Sequence, residues 1–151
     1  MVSMPSPRLD APGFTLVELL IVIAVTAVLA ASAAPSFVDY IRRARINEAV
    51  IRLSDYRVRM EQYFLDNRRY DDGAGNCGAV APTASPADAF EVVCTAAATT
   101  YTIAATGLAA KSMQGFVYTL DHANAHRTAS VPVGWVSSDV CWVVRRDGSC
   151  T

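Results

Sequence analysis

The feature that most constrains this chain is an apolar run of 21 residues, Phe14 to Ala34, that contains a single charge, Glu18. As a helix at about 1.5 Å per residue it is roughly 31 Å long, close to the hydrocarbon thickness of a bilayer. Hydrophobic residues make up 52% of the 151-residue chain and charged residues 18%, and the excess is concentrated in this run. What remains has room for one globular domain with a modest core. The formal net charge is -1, so no global excess points to nucleic acid or to an acidic ligand.

The four cysteines, Cys77, Cys94, Cys141 and Cys150, all lie C-terminal to the run. An even count behind a membrane segment reads as two disulfides in an oxidising compartment. Zinc-type sites need close C-x2-C pairs, which these spacings lack. Three pairings are open from sequence; the sequential one, Cys77–Cys94 and Cys141–Cys150, closes short local loops and is our expectation.

Residues 1–13 are polar, with three prolines and one arginine, and abut the run directly. A secretory signal has a shorter apolar stretch, 7 to 15 residues, before its cleavage site. The junction reads Gly13-Phe14-Thr15-Leu16-Val17-Glu18. It resembles that of the type IV pilin and pseudopilin family, whose precursors are cut after the glycine by a prepilin peptidase. The resemblance implies cleavage between Gly13 and Phe14 and N-methylation of Phe14. The leader departs from the pattern, with Arg8 and Asp10 where relatives show several basic residues. Eight arginines between Arg42 and Arg69 would put the following domain in the cytoplasm by charge count. Processing and disulfides both require it outside, and the junction motif outweighs the count.

Glu18 has two readings that do not exclude one another. Thr15-x-x-Glu18 fits a capping box that satisfies amides at the helix start. The resemblance instead implies that Glu18 pairs with the new α-amino group of Phe14 on a neighbouring subunit, coupling processing to assembly. Pro35 predicts a kink, since proline removes a helical hydrogen bond at a cost of about 3 kcal/mol. A proline matches there in type IVa pilins and is usually missing from pseudopilins.

Beyond Pro35, Ile46, Ala49, Leu53, Tyr56, Met60 and Tyr63 recur at helical spacing, with Val50 and Phe64 widening the stripe. One helix is therefore expected from about Thr15 to Asp66, its second half packed on a sheet. Its arginine-rich remainder reads as solvated surface with pairs such as Glu48 to Arg52, as a contact for neighbouring subunits, or as a phosphate-binding face. Residues 70–86 read as a loop. Strands are expected at 90–95, 100–105, 115–120, 126–131 and 140–144. Segments F-E-V-V-C-T, Y-T-I-A-A-T-G, Y-T-L-D and a closing C-W with G-S-C resemble PilE-like minor pilins and the related ComP-type DNA-uptake pilins. That resemblance implies an α+β type IV pilin fold, a long helix across an antiparallel sheet with one disulfide near the helix-to-sheet loop and one tying the C-terminal loop. Each such staple is worth about 3 kcal/mol in the chain-entropy picture.

His122 and His126 sit in a turn-like segment rather than at helical ligand spacing, so no metal is expected, and no cofactor or catalytic motif is recognised. The chain is read as three parts: a leader, 1–13; a membrane and filament-core helix, 14–35; and an extracytoplasmic domain, 36–151. The expected function is that of a structural, minor pilus subunit rather than an enzyme. It starts as a single-pass inner-membrane precursor in contact with lipid and ends in an extracellular pilus. Its expected partners are other pilin subunits, the prepilin peptidase and the inner-membrane assembly machinery. Alternatives are a competence pilin that grips DNA, with Arg145, Arg146 and Lys111 as candidate contacts, and a type II secretion pseudopilin.

Overall fold

The computed structural model describes residues 13–150, apart from the side chains of 32–36. The expected leader, except for Gly13, and the side chain of Pro35 lie outside the described residues. The chain divides after Val38 into two units. The first helix, α1, is Leu16–Asn67 and contributes to both. It matches the helix expected from the sequence to within one residue at each end.

In the first unit every described apolar side chain from Leu16 to Leu29 is exposed. The hydroxyl of Thr26 donates to the carbonyls of Val22 at 2.8 Å and Ile23 at 3.0 Å, so the one polar side chain of this stretch beyond Glu18 is satisfied within its own helix. Among the described residues no helix is long and apolar enough to cross a membrane.

In the second unit the sheet is a four-stranded antiparallel meander in the order β1-β2-β3-β4. Its strands are β1 Phe90–Ala96, β2 Tyr101–Gly107, β3 Val117–Asp121 and β4 His126–Ser130. The expected stripe on α1 is the core face: Ile46, Ala49, Leu53, Tyr56 and Met60 are buried, with Val50, Tyr63 and Phe64 packed at its margin. The inward positions of the sheet answer it with Phe90, Tyr101, Ile103, Ala105, Tyr118 and Leu120. Strand register sets Cys94 beside Ile103 and Ile103 beside Leu120, so one face carries the apolar row. Burying each of the large aliphatic and aromatic side chains among them contributes about 1.5–3 kcal/mol. At the end of β2 an added Cβ on Gly107 would sit 1.9 Å from the Met113 carbonyl oxygen, so that close approach requires glycine.

Polar anchors dock the entrance of β1 on the helix. Arg52 pairs with Asp88 at 2.7 Å and donates to the Phe90 carbonyl at 2.9 Å, while the Ala89 amide donates to Glu48. The Glu48–Arg52 pair expected along the helix therefore gives way to contacts with the sheet. Both side chains lie half-buried where unpaired β1 backbone groups need partners.

The expected strand at 140–144 does not form. Backbone groups of Cys141 and Val143 go instead to side chains of the sheet. The Thr128 hydroxyl donates to the Cys141 carbonyl and accepts from the Val143 amide, both at 2.8 Å. The Tyr118 hydroxyl donates to the Val143 carbonyl at 2.8 Å, and the Trp142 indole donates to the Thr119 carbonyl at 3.0 Å. The segment thus wraps over the end of the sheet, and bridges between Thr128 and Ser138 and between Val143 and Cys150 are its only ladder-like pairings among the described residues.

Candidate functional site

Two places concentrate chemistry, the start of α1 and the end of the second unit that holds residues 39–45. At the first, Thr15 caps the helix: its hydroxyl oxygen accepts the Glu18 amide at 3.2 Å. Among the described residues the Glu18 carboxylate has no hydrogen bond or ion pair, so only the threonine half of the expected capping box is made. Gly13 stands open, with nothing within 4 Å of the place a Cβ would occupy.

At the second place α1 presents Asp39, Arg42, Arg43 and Arg45 within two turns. Asp39 accepts from Arg146 at 2.9 Å and lies 3.7 Å from Arg42. Arg45 donates to the backbone carbonyl of Lys111. Lys111 ends a 3-10 turn, Ala109–Lys111, and Arg145 and Arg146 sit in the loop closed by Cys141–Cys150. Three residues named as candidates from sequence, Lys111, Arg145 and Arg146, are therefore gathered beside Arg42, Arg43 and Arg45. Six cations lie on these adjoining stretches of a chain whose net charge is -1, Asp39 meets Arg42 and Arg146, and a second carboxylate, Asp147, sits beside Arg145. The Nε of Arg42 is buried and has no acceptor among the described residues. Beside the cluster Tyr40, Arg43, Ala44 and Asn47 line an open groove of about 430 Å³.

The sequence reading missed a second helical stripe. Ala44, Ile51, Val58 and Leu65, seven residues apart, are all exposed on α1, opposite the core face. A strict seven-residue apolar repeat suits packing against another helix with a left-handed twist. The spacing was visible in the sequence, but the face was read from its arginines alone, as solvated surface, a contact for neighbouring subunits or a phosphate-binding face.

The remaining expected features have structural roles. Both disulfides follow the sequential pairing, Cys77–Cys94 and Cys141–Cys150, each with Cα atoms 6.0 Å apart. Trp142 is buried and stacks on His126 with ring centroids 4.0 Å apart, and Trp135 packs edge-on against Phe116. Among the described residues no group of three or more His, Cys, Asp or Glu side chains is placed to hold a metal ion. Burial raises the Tyr118 phenol above its ordinary value, and burial together with the Glu61 carboxylate does the same for Tyr101. The hydroxyl and amide of Ser149 lower the Asp147 carboxyl, which steadies the loop carrying Arg145 and Arg146.

A helix with an uncovered apolar half, a meander sheet and two disulfide-tied loops define a subunit built to associate with others. Residues 10–34 match the family model of the prokaryotic N-terminal methylation motif. Residues 35–115 match that of the type IV minor pilin ComP, DNA uptake sequence receptor. The fimbrial protein EcpC of Eikenella corrodens is 37% identical over 107 residues, which cover 68% of this chain and 69% of that protein. A type IV major pilin of Neisseria gonorrhoeae is 36% identical over 70 residues, 46% of this chain and 42% of the relative. The chain spans about two-fifths of the length of the first Neisseria pilins it matches. This chain belongs to the type IV pilin family, and the resemblance drawn from its junction and strands is borne out.

Proposed function

We propose that this chain is a minor pilus subunit that holds duplex DNA by its phosphates through Arg42, Arg43, Arg45, Lys111, Arg145 and Arg146. Family membership implies assembly with other pilins into a filament at the cell surface, from a membrane-anchored precursor. The finer steps are our reading. A prepilin peptidase cuts between Gly13 and Phe14, and Phe14 is methylated at its new amino group. The inner-membrane assembly machinery then draws the apolar half of α1 out of lipid and into the filament. Glu18, whose carboxylate has no partner among the described residues, meets the Phe14 amine of a neighbour. The exposed row from Ala44 to Leu65 supplies a helix surface for subunit packing.

The observation that carries the DNA reading is the gathering of six cations from three distant stretches of a nearly neutral chain. The match of residues 35–115 to a family model described as a DNA uptake sequence receptor supports it. Guanidinium groups suit phosphate because they present paired donors in a planar fork. The test is titration of the full chain with duplex DNA at rising salt. If about four to six phosphates are neutralised, log affinity falls against log salt with a slope of roughly -4 to -5. Unchanged binding by an R42Q/R43Q/R45Q/R145Q/R146Q variant would remove this cluster as the site, and absence of binding at low salt would leave a purely structural subunit. That outcome is the second reading, and the exposed seven-residue stripe favours it.

A further inference from the structure

We infer that the groove beside the basic cluster seats an unpaired base, so that the chain holds single-stranded DNA more tightly than duplex. This deepens the DNA reading above and rests on it. Tyr40, Arg43, Ala44 and Asn47 line the groove. All four belong to the part of α1 in the second unit, at spacings i, i+3, i+4 and i+7, which sets them on one helix face. The Tyr40 ring is 62% exposed and packs on no other ring among the described residues. The Tyr40 hydroxyl, the Arg43 guanidinium and the Asn47 amide have no hydrogen bond or ion pair among those residues. Asp39 stands four residues before Arg43, but its carboxylate is taken by Arg42 and Arg146. Arg43 is half-buried nonetheless, so a cation with reduced access to water lines a groove that brings it no acceptor.

Each of these groups suits one part of a nucleotide. The guanidinium takes phosphate through paired donors. An uncovered tyrosine ring is a stacking platform for a base, and the Asn47 amide offers both a donor and an acceptor to the base edge. Ala44 leaves the floor open, since its side chain is a single methyl. A volume of about 430 Å³ falls within the range of small-ligand sites. In a duplex the bases stack on one another and are closed to a ring at the helix wall, whereas a single strand presents them. Phosphate attraction by itself favours the duplex, because its charge density is higher. Only a contact to the base reverses that order.

The test titrates the full chain, in detergent solution and at one salt concentration, with a 12-nucleotide strand and with the blunt duplex of the same sequence. The wild type is expected to hold the strand about five- to tenfold more tightly. Tyr40→Ala removes the platform and Ala44→Leu fills the groove, and neither alters a charge. Both are expected to lose the preference for the strand while duplex affinity stays within about twofold. Tyr40→Phe keeps the ring and should retain the preference. Tyr40 and Ala44 are exposed, so melting temperatures should match the wild type. A wild-type strand affinity no greater than that of the duplex, or a preference left intact by either Tyr40→Ala or Ala44→Leu, overturns the inference. Deoxyadenosine monophosphate, titrated in parallel, separates a strand from a free nucleotide. Binding as tight as that of the strand would assign the groove to the mononucleotide and overturn the strand reading. A chain that binds duplex without preferring the strand sinks only this inference. One that binds neither nucleic acid sinks the DNA reading and this inference with it.

Discussion

The guanidinium of Arg146 donates to the Asp39 carboxylate at 2.9 Å, joining positions 107 residues apart in sequence. The pair is more than a third exposed on both sides, so it adds little stability, about 0–1 kcal/mol. Its consequence is local charge. Asp39 partly neutralises Arg42 and Arg146 where phosphate would bind. Asp39→Asn is therefore expected to raise duplex affinity about three- to fivefold at low salt, from Coulomb energies near 1 kcal/mol at surface separations. Melting temperature should hardly move. Weaker DNA binding by this variant would contradict the placement of the site.

Thr128 holds the C-terminal segment over the sheet. Replacing it with valine keeps the shape but strips partners from the Val143 amide and the Cys141 carbonyl. A loss of roughly 2–3 kcal/mol is expected, because buried backbone groups left unpaired bear their full desolvation cost. Thr128→Ser keeps the hydroxyl and should stay much closer to wild type. Urea denaturation of the two variants decides the matter.

Alkaline pH should destabilise the fold through its buried phenols. Tyr118 and Tyr101 are held neutral above their ordinary values, so their contribution is complete below pH of about 10 and is lost as pH rises towards the folded values. Each phenol released on unfolding lowers stability by about 1.4 kcal/mol per pH unit in that window. Tyr118→Phe loses the bond to the Val143 carbonyl, about 1 kcal/mol at neutral pH, but should show a shallower decline. Denaturation midpoints between pH 8 and 11.5 give both quantities, and an unchanged slope would refute the assignment.

Assembly can be probed at two positions that leave the folded subunit intact. Val58 is exposed in the seven-residue stripe, so Val58→Asp should preserve disulfides and melting behaviour. Its incorporation into sheared fibres should fall about tenfold or more, because an unpaired carboxylate would be buried between helices. Glu18→Ala should remain in membranes yet be missing from fibres. Normal fibre content for either variant argues against its proposed role.

The helix, its core face and four strands were legible because each rests on a short-range pattern. Helical spacing carried Ile46 to Met60, and alternation carried Tyr101 to Ala105. The junction from Gly13 to Glu18 was legible for the same reason, since its meaning lies in contiguous residues. The segment 140–144 has the composition of a strand, yet the hydroxyls of Thr128 and Tyr118 take the hydrogen bonds of its Cys141 and Val143 backbone groups. Only the fold decides which backbone groups find a ladder and which find a side chain. The basic cluster likewise depends on tertiary structure, because Lys111 and Arg146 reach Arg45 and Asp39 from distant parts of the chain. Sequence fixes local preference and the disposition of apolar surface; long-range closure determines where separated charges meet.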